Sequence, residues 1–100
     1  MYLLYITTSD KNEALKIANH LIEEELAACC NITEGAISVY KWQGSLKEER
    51  EVQLLAKTSK AKLKKAIERI NQIHSYDIPC VLAIKIKKGS KDFIKWVDNL

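Results

Sequence analysis

The chain has 100 residues, 47% hydrophobic and 29% charged, a size that buries roughly two thirds of the unfolded surface and a balance that excludes disordered and collagenous classes. Its net charge of +3 is uneven: residues 1–50 hold 5 basic and 8 acidic residues, and residues 51–100 hold 11 and 5. Three cysteines, with no C-x-x-C pair among them, argue against a disulfide framework and for small, reduced, buried thiols.

Tyr2 to Thr8 is apolar, β-branched and aromatic, and predicts a first strand. No basic residue precedes it, so it lacks the layout of a secretory signal, and no stretch approaches the ~20 apolar residues of a membrane helix. A cytoplasmic protein without a membrane partner is expected. Ser9 and Asp10 are helix-starting residues, and Ala14, Leu15, Ala18, Leu21, Ile22 and Leu26 recur at helical spacing. That pattern predicts an amphipathic helix with Cys29 and Cys30 at its end.

From Asn31 the pattern becomes extended, with Gly35 as a turn or bulge and Ala36 to Trp42 as a strand. Gln43, Gly44 and Ser45 form a turn, and Lys47 to Thr58 returns as the second arm of a hairpin. A second helix is predicted over Lys60 to Ile73, on the stripe Leu63, Ala66, Ile67, Ile70 and Ile73. The segment His74 to Pro79 breaks it, Cys80 to Lys87 reads as a fourth strand, and Gly89 with Ser90 opens a short last helix. With no linker or repeat, residues 1–100 are expected to form a single domain.

The order β-α-β-β-α-β closes into an α+β, ferredoxin-like sandwich with both helices on one face of the sheet and strands 2 and 4 at its edges. The hairpin arms exceed the usual five- or six-residue strand, and their outer edge carries Ile37, Val39, Tyr40 and Trp42. An uncovered edge of this kind invites pairing with another chain, so an oligomer is expected. A head-to-tail ring would set the acidic half of one subunit against the basic half of the next, and salt would loosen it.

The chemistry-bearing residues exclude more than they assign. Gly35, Gly44 and Gly89 stand alone, so neither a P-loop nor a dinucleotide fingerprint can form. Lys57, Lys60, Lys62, Lys64 and Lys65 lack interleaved aromatics and read as a solvated face, with no nucleic-acid partner. The loop from His74 to Cys80 gathers an imidazole, a phenol, a carboxylate and a thiol, but no complete catalytic constellation. His20 reads as a surface residue. Soft thiols and imidazole suit copper or zinc, which makes His74, Cys80 and Cys29 candidate metal ligands; the competing reading is buried thiols. Tyr40 and Trp42, beside Lys41 and Gly44, fit a subunit interface or a ligand pocket.

Four segments resemble the CutA family of divalent-cation tolerance proteins: Leu26 to Ile32, Ser38 to Gly44, Glu51 with Lys57 and Thr58, and His74 to Pro79. The resemblance implies a cytoplasmic, non-catalytic homotrimer similar in build to the PII signalling trimers, linked to tolerance of copper and other divalent cations, with no metal required for folding. It also implies a cleft between subunits involving Tyr40, Trp42, Lys57, His74 and Tyr76, from which the family's acidic member is missing here. The alternative function is a PII-like regulatory module that binds a small ligand or a protein partner at the subunit cleft. The chain departs from the family pattern at Lys41, Ser75 and Cys80. The positions of the family's proposed copper site resemble Ile6, Ile73 and His74, leaving one possible ligand and Cys80 as a substitute soft donor.

Overall fold

Alternation in the third strand fixes the two faces of the sheet. In the computed structural model, which describes residues 1–100, the elements are β1 (Tyr2–Thr8), α1 (Lys11–Glu23), β2 (Cys29–Trp42), β3 (Ser45–Thr58), α2 (Lys60–Ile73), β4 (Val81–Lys85) and α3 (Lys91–Asp98). The sheet runs β2-β3-β1-β4 with every neighbouring pair antiparallel, and β2 and β4 are its edges. Along β3, Val52, Leu54, Ala56 and Thr58 are buried on the helix side. Glu49, Glu51, Gln53, Leu55 and Lys57 therefore project from the other face.

The core is one cluster of 11 residues that includes Leu4 and Ile6 of β1, Ile17 and Leu21 of α1, Leu54 of β3, and Ala66 and Ile70 of α2. Each fully buried Leu or Ile contributes on the order of 1.5–3 kcal/mol. Leu63, Ile67 and Ile73 pack against this cluster, as the stripe on α2 predicts. Asp10 caps α1 by accepting from Glu13 N–H at 2.8 Å, and Ser59 caps α2 by accepting from Lys62 N–H at 3.3 Å. Lys60, Lys64 and Lys65 are exposed and Lys62 is half-buried.

Helix α1 stops earlier than its apolar pattern suggests. Glu25 adopts φ +56°, and the N–H groups of Leu26 and Ala27 both donate to the Leu21 carbonyl. Three successive glutamates at a helix C-terminus also oppose the helix dipole. Leu26 still enters the core, but through a reversal of the chain. Cys29 and Cys30 consequently open β2 instead of ending α1. β2 is twice the expected length because the bulge at Gly35 (φ +92°) bends the strand without ending it. β4 is shorter than expected, Val81–Lys85.

Gln43 and Gly44, at φ 51° and 82°, link Trp42 to its partner Ser45. Positive φ at both positions is what a tight hairpin turn with right-handed strand twist requires. Within β3, β1 pairs only with Val52–Thr58, so the seven residues Ser45–Glu51 pair with β2 alone. A two-stranded ribbon roughly 23 Å long thus extends past the core, and the molecule measures 45 × 26 × 21 Å. No helix is long and apolar enough to cross a membrane.

Candidate binding cleft

The bulge decides which side chains meet at the base of the ribbon. Before it, Asn31 and Thr33 lie opposite Leu55 and Gln53; after it, Ala36, Ser38 and Tyr40 lie opposite Glu51, Glu49 and Lys47. Directly paired residues share a face, so the extra residue switches the outward-facing positions of β2 from odd to even. Tyr40 and Trp42 thereby join Glu49 and Glu51 on the face away from the helices. The α2–β4 loop reaches the same place with Tyr76, Asp77 and Cys80. Together these residues line a cleft of about 530 Å³.

The two cleft carboxylates of β3, Glu49 and Glu51, each have a phenol beside them. Tyr76 Oη donates to Glu51 Oε2 at 2.7 Å; burial and this carboxylate push the Tyr76 phenol well above its ordinary value. The Glu49 carboxylate likewise raises the Tyr40 phenol. Glu49, Glu51 and Asp77 face a single basic lining residue, Lys47, so the cleft is anionic. Asp77 is the carboxylate of the loop singled out in the sequence, whereas Glu49 is not evident from motif reading. The two-residue turn at Gln43-Gly44 does contain the signal for Glu49, because it fixes the hairpin register.

Lys57, expected at a cleft between subunits, does not line this cleft of the single subunit. It shares the outer face of β3 with Glu51, but six residues at ~3.3 Å separate them by roughly 20 Å. Its Nζ donates to Asn31 Oδ1 and, at 3.4 Å, to Cys29 Sγ, and lies 5.8 Å from the centre of the Phe93 ring. Cys29 belongs to this second cluster and Cys80 to the cleft. Cys30 faces the core, where burial raises its thiol to about 11.

His74 is a strut. Its Nε2 donates to the Thr7 carbonyl at 2.8 Å, and its Nδ1 accepts from Tyr76 N–H at 3.1 Å. A carbonyl only accepts, so the proton is assigned to Nε2, and neither nitrogen is left for a metal. His74, Cys80 and Cys29 are therefore not brought together, and no group of three His, Cys, Asp or Glu side chains is arranged to hold an ion. Ile6 is fully buried and Ile73 packs on the core, and neither side chain has a donor atom for a metal. His20 contacts Glu24 at 3.1 Å and Arg69 at 3.4 Å in a half-exposed cluster.

A family model described as CutA1 divalent ion tolerance protein matches residues 2–100. The chain belongs to the CutA1 divalent ion tolerance family. It is 38% identical over 95 residues to the divalent-cation tolerance protein CutA of Thermus thermophilus, covering 95% of this chain and 92% of that protein. It is 37% identical to the chloroplastic protein CutA of Arabidopsis thaliana, covering 97% of this chain but 53% of that protein, so it spans about half the plant relative's length. Among solved structures, the Thermus thermophilus protein superposes with a TM-score of 0.94 at 37% identity, covering 99% of this chain and 97% of that one. The Archaeoglobus fulgidus structure, named a periplasmic divalent cation tolerance protein, gives 0.93 at 36% identity and the same coverage. The Thermus thermophilus and Archaeoglobus fulgidus proteins are named for divalent-cation tolerance, and none of these relatives is named as an enzyme. Of the three departures from the family pattern, Cys80 lines the cleft and Ser75 lies in the α2–β4 loop, whereas Lys41 pairs with Leu46 on the opposite face of the ribbon.

Proposed function

We propose that this protein acts in divalent-cation tolerance as a cytoplasmic homotrimer of PII-like build, with the cleft as the place where a cation or small ligand meets it. Support comes from the convergence of Tyr40, Trp42, Tyr76 and Cys80 with the carboxylates of Glu49, Glu51 and Asp77 at one concavity. Copper is the cation a thiol favours, and Cys80 is the soft donor beside Glu49 and Glu51. One subunit supplies too few ligands for a closed metal site, so direct binding is weak. Folding rests on the apolar core and asks for no metal. Three free cysteines suit a reducing compartment.

The homotrimer is argued from the ribbon. A two-stranded hairpin is at best marginally stable alone in water. On the side opposite the cleft it carries Ile37, Val39 and Leu46, 65%, 63% and 71% exposed. That stripe fits a subunit contact and leaves Tyr40 and Trp42 to the cleft.

A second reading is a regulatory module that binds a small organic ligand in the cleft. It is favoured by the three aromatic rings and by a volume within the ~300–1,000 Å³ of small-molecule sites.

The test is a light-scattering mass of the reduced protein, followed by copper and zinc titration of the same sample. The expected result is three 11.4 kDa chains per particle and copper binding that weakens in Cys80→Ser. A monomer would overturn the assembly, and unchanged copper affinity in Cys80→Ser would overturn that residue's role.

A further inference from the structure

The geometry points to an organic cation, a short primary amine or diamine, as the small ligand of the cleft; this rests on the reading of the cleft as a binding site and names the chemistry it recognises. The hydroxyl of Tyr76 already donates to Glu51 at 2.7 Å, and Tyr40 is the diagonal neighbour of Glu49 on the same face of the hairpin. What the cleft presents to a newcomer is therefore mainly acceptor lone pairs on two carboxylates, the carboxylate of Asp77, and the π faces of Tyr40, Trp42 and Tyr76. A ligand that fits must bring donors and positive charge.

Other ligand classes match less well. An anion would meet three carboxylates against the single ammonium of Lys47, and Lys57, the other cation expected there, points elsewhere. A bare metal ion would find no three-ligand set and would have to displace a phenol from its carboxylate. A neutral apolar ligand would leave the carboxylates desolvated without partners, which is costly. An ammonium group answers both features together, donating to carboxylate oxygens and lying against aromatic faces by cation–π attraction.

Spacing narrows the class. Glu49 and Glu51 are two residues apart on one face of β3, or about 7 Å along the strand, which a short diamine can bridge with one ammonium at each carboxylate.

The experiment is a titration with putrescine at low ionic strength, read by Trp42 fluorescence in a Trp96→Phe background and by calorimetry. Its controls are the diol of the same length and zinc chloride. Saturable putrescine binding is expected, with no response to the diol and affinity that falls steeply with salt. Affinity should drop about tenfold or more in Glu49→Gln, where one charge pair is removed. Glu49 is exposed, so this variant folds without relying on the Tyr76 contact; Glu51→Gln is the second variant. Equal responses to putrescine and the diol, or unchanged affinity in both glutamine variants, overturn the inference. Zinc binding at the cleft without putrescine binding overturns the organic cation but leaves the cleft reading standing. A cleft that binds neither overturns both.

Discussion

His74 is joined to Thr7 by a 2.8 Å hydrogen bond from Nε2 to the backbone carbonyl, with the imidazole side chain fully buried. The bond ties the end of α2 to the end of β1, while Nδ1 holds the Tyr76 amide and so positions the phenol that reaches Glu51. A buried ring with both nitrogens engaged stabilises the loop. His74→Ala is expected to lower stability by about 2–3 kcal/mol through the unsatisfied carbonyl and the lost packing, read as a lower urea midpoint. Copper affinity per folded chain should stay the same; a specific loss of copper binding would return His74 to the ligand set.

Acid should loosen the same loop through Glu13. Partial burial alone would raise this carboxyl, but hydrogen bonds from Ser75 and Ser9 outweigh it and hold it at about 2. The folded value lies below the ordinary carboxylate value of 4.5. Its stabilisation is therefore fully present above about pH 4.5 and lost as pH falls toward 2. With solvent screening allowed for, the loss amounts to about 1–2 kcal/mol. Denaturation midpoints across that window should fall less steeply in Glu13→Gln than in the natural protein.

Two glycines hold the ribbon's geometry by backbone conformation alone. A Cβ added at Gly35 or Gly44 would meet nothing within 4 Å, yet both have positive φ. Gly35→Ala and Gly44→Ala should each cost about 1–2 kcal/mol from the left-handed backbone and nothing from crowding. Gln43 occupies φ 51° without being glycine. Asparagine tolerates that region better, so Gln43→Asn is expected to stabilise the hairpin by about 0.5 kcal/mol, a thermal shift of a few degrees.

Strand β1 and helix α2 lie where the sequence pattern predicts because local signals agree there: Ser59 caps a clean stripe, and β-branched residues end at a capping aspartate. Helix α1 misleads because Leu26 keeps helical spacing and a core position even though the chain has already reversed at Glu25. The antiparallel sheet order and its edges follow from the element order. The cleft was legible only in part. Within one subunit Tyr40, Trp42, Tyr76 and Cys80 do converge, while Lys57 lies farther along its strand beside Cys29. The role of Glu13 is not legible in the sequence because its partner Ser75 is 62 residues away, and nothing in local pattern reports such a contact.

The ribbon makes the assembly testable at single positions. Val39 and Leu46 lie on the side opposite the cleft, with Val39 paired to Glu48 and Leu46 to Lys41. Since this segment has no core beneath it, Val39→Glu should leave the subunit's own fold near its original stability, within about 0.5 kcal/mol as for other surface changes. Burying the new carboxylate against a neighbouring chain would cost several kcal/mol, and a ring repeats that cost at every contact. Light scattering should then report 11.4 kDa particles with an unchanged circular dichroism spectrum. If the contacts also set the acidic half of one chain against the basic half of the next, sodium chloride near 1 M, where the screening length falls to about 3 Å, should loosen the assembly of the natural protein. Val39→Glu particles that keep the parent mass would show that this stripe is not the contact, and an assembly indifferent to salt would confine its stabilisation to apolar burial.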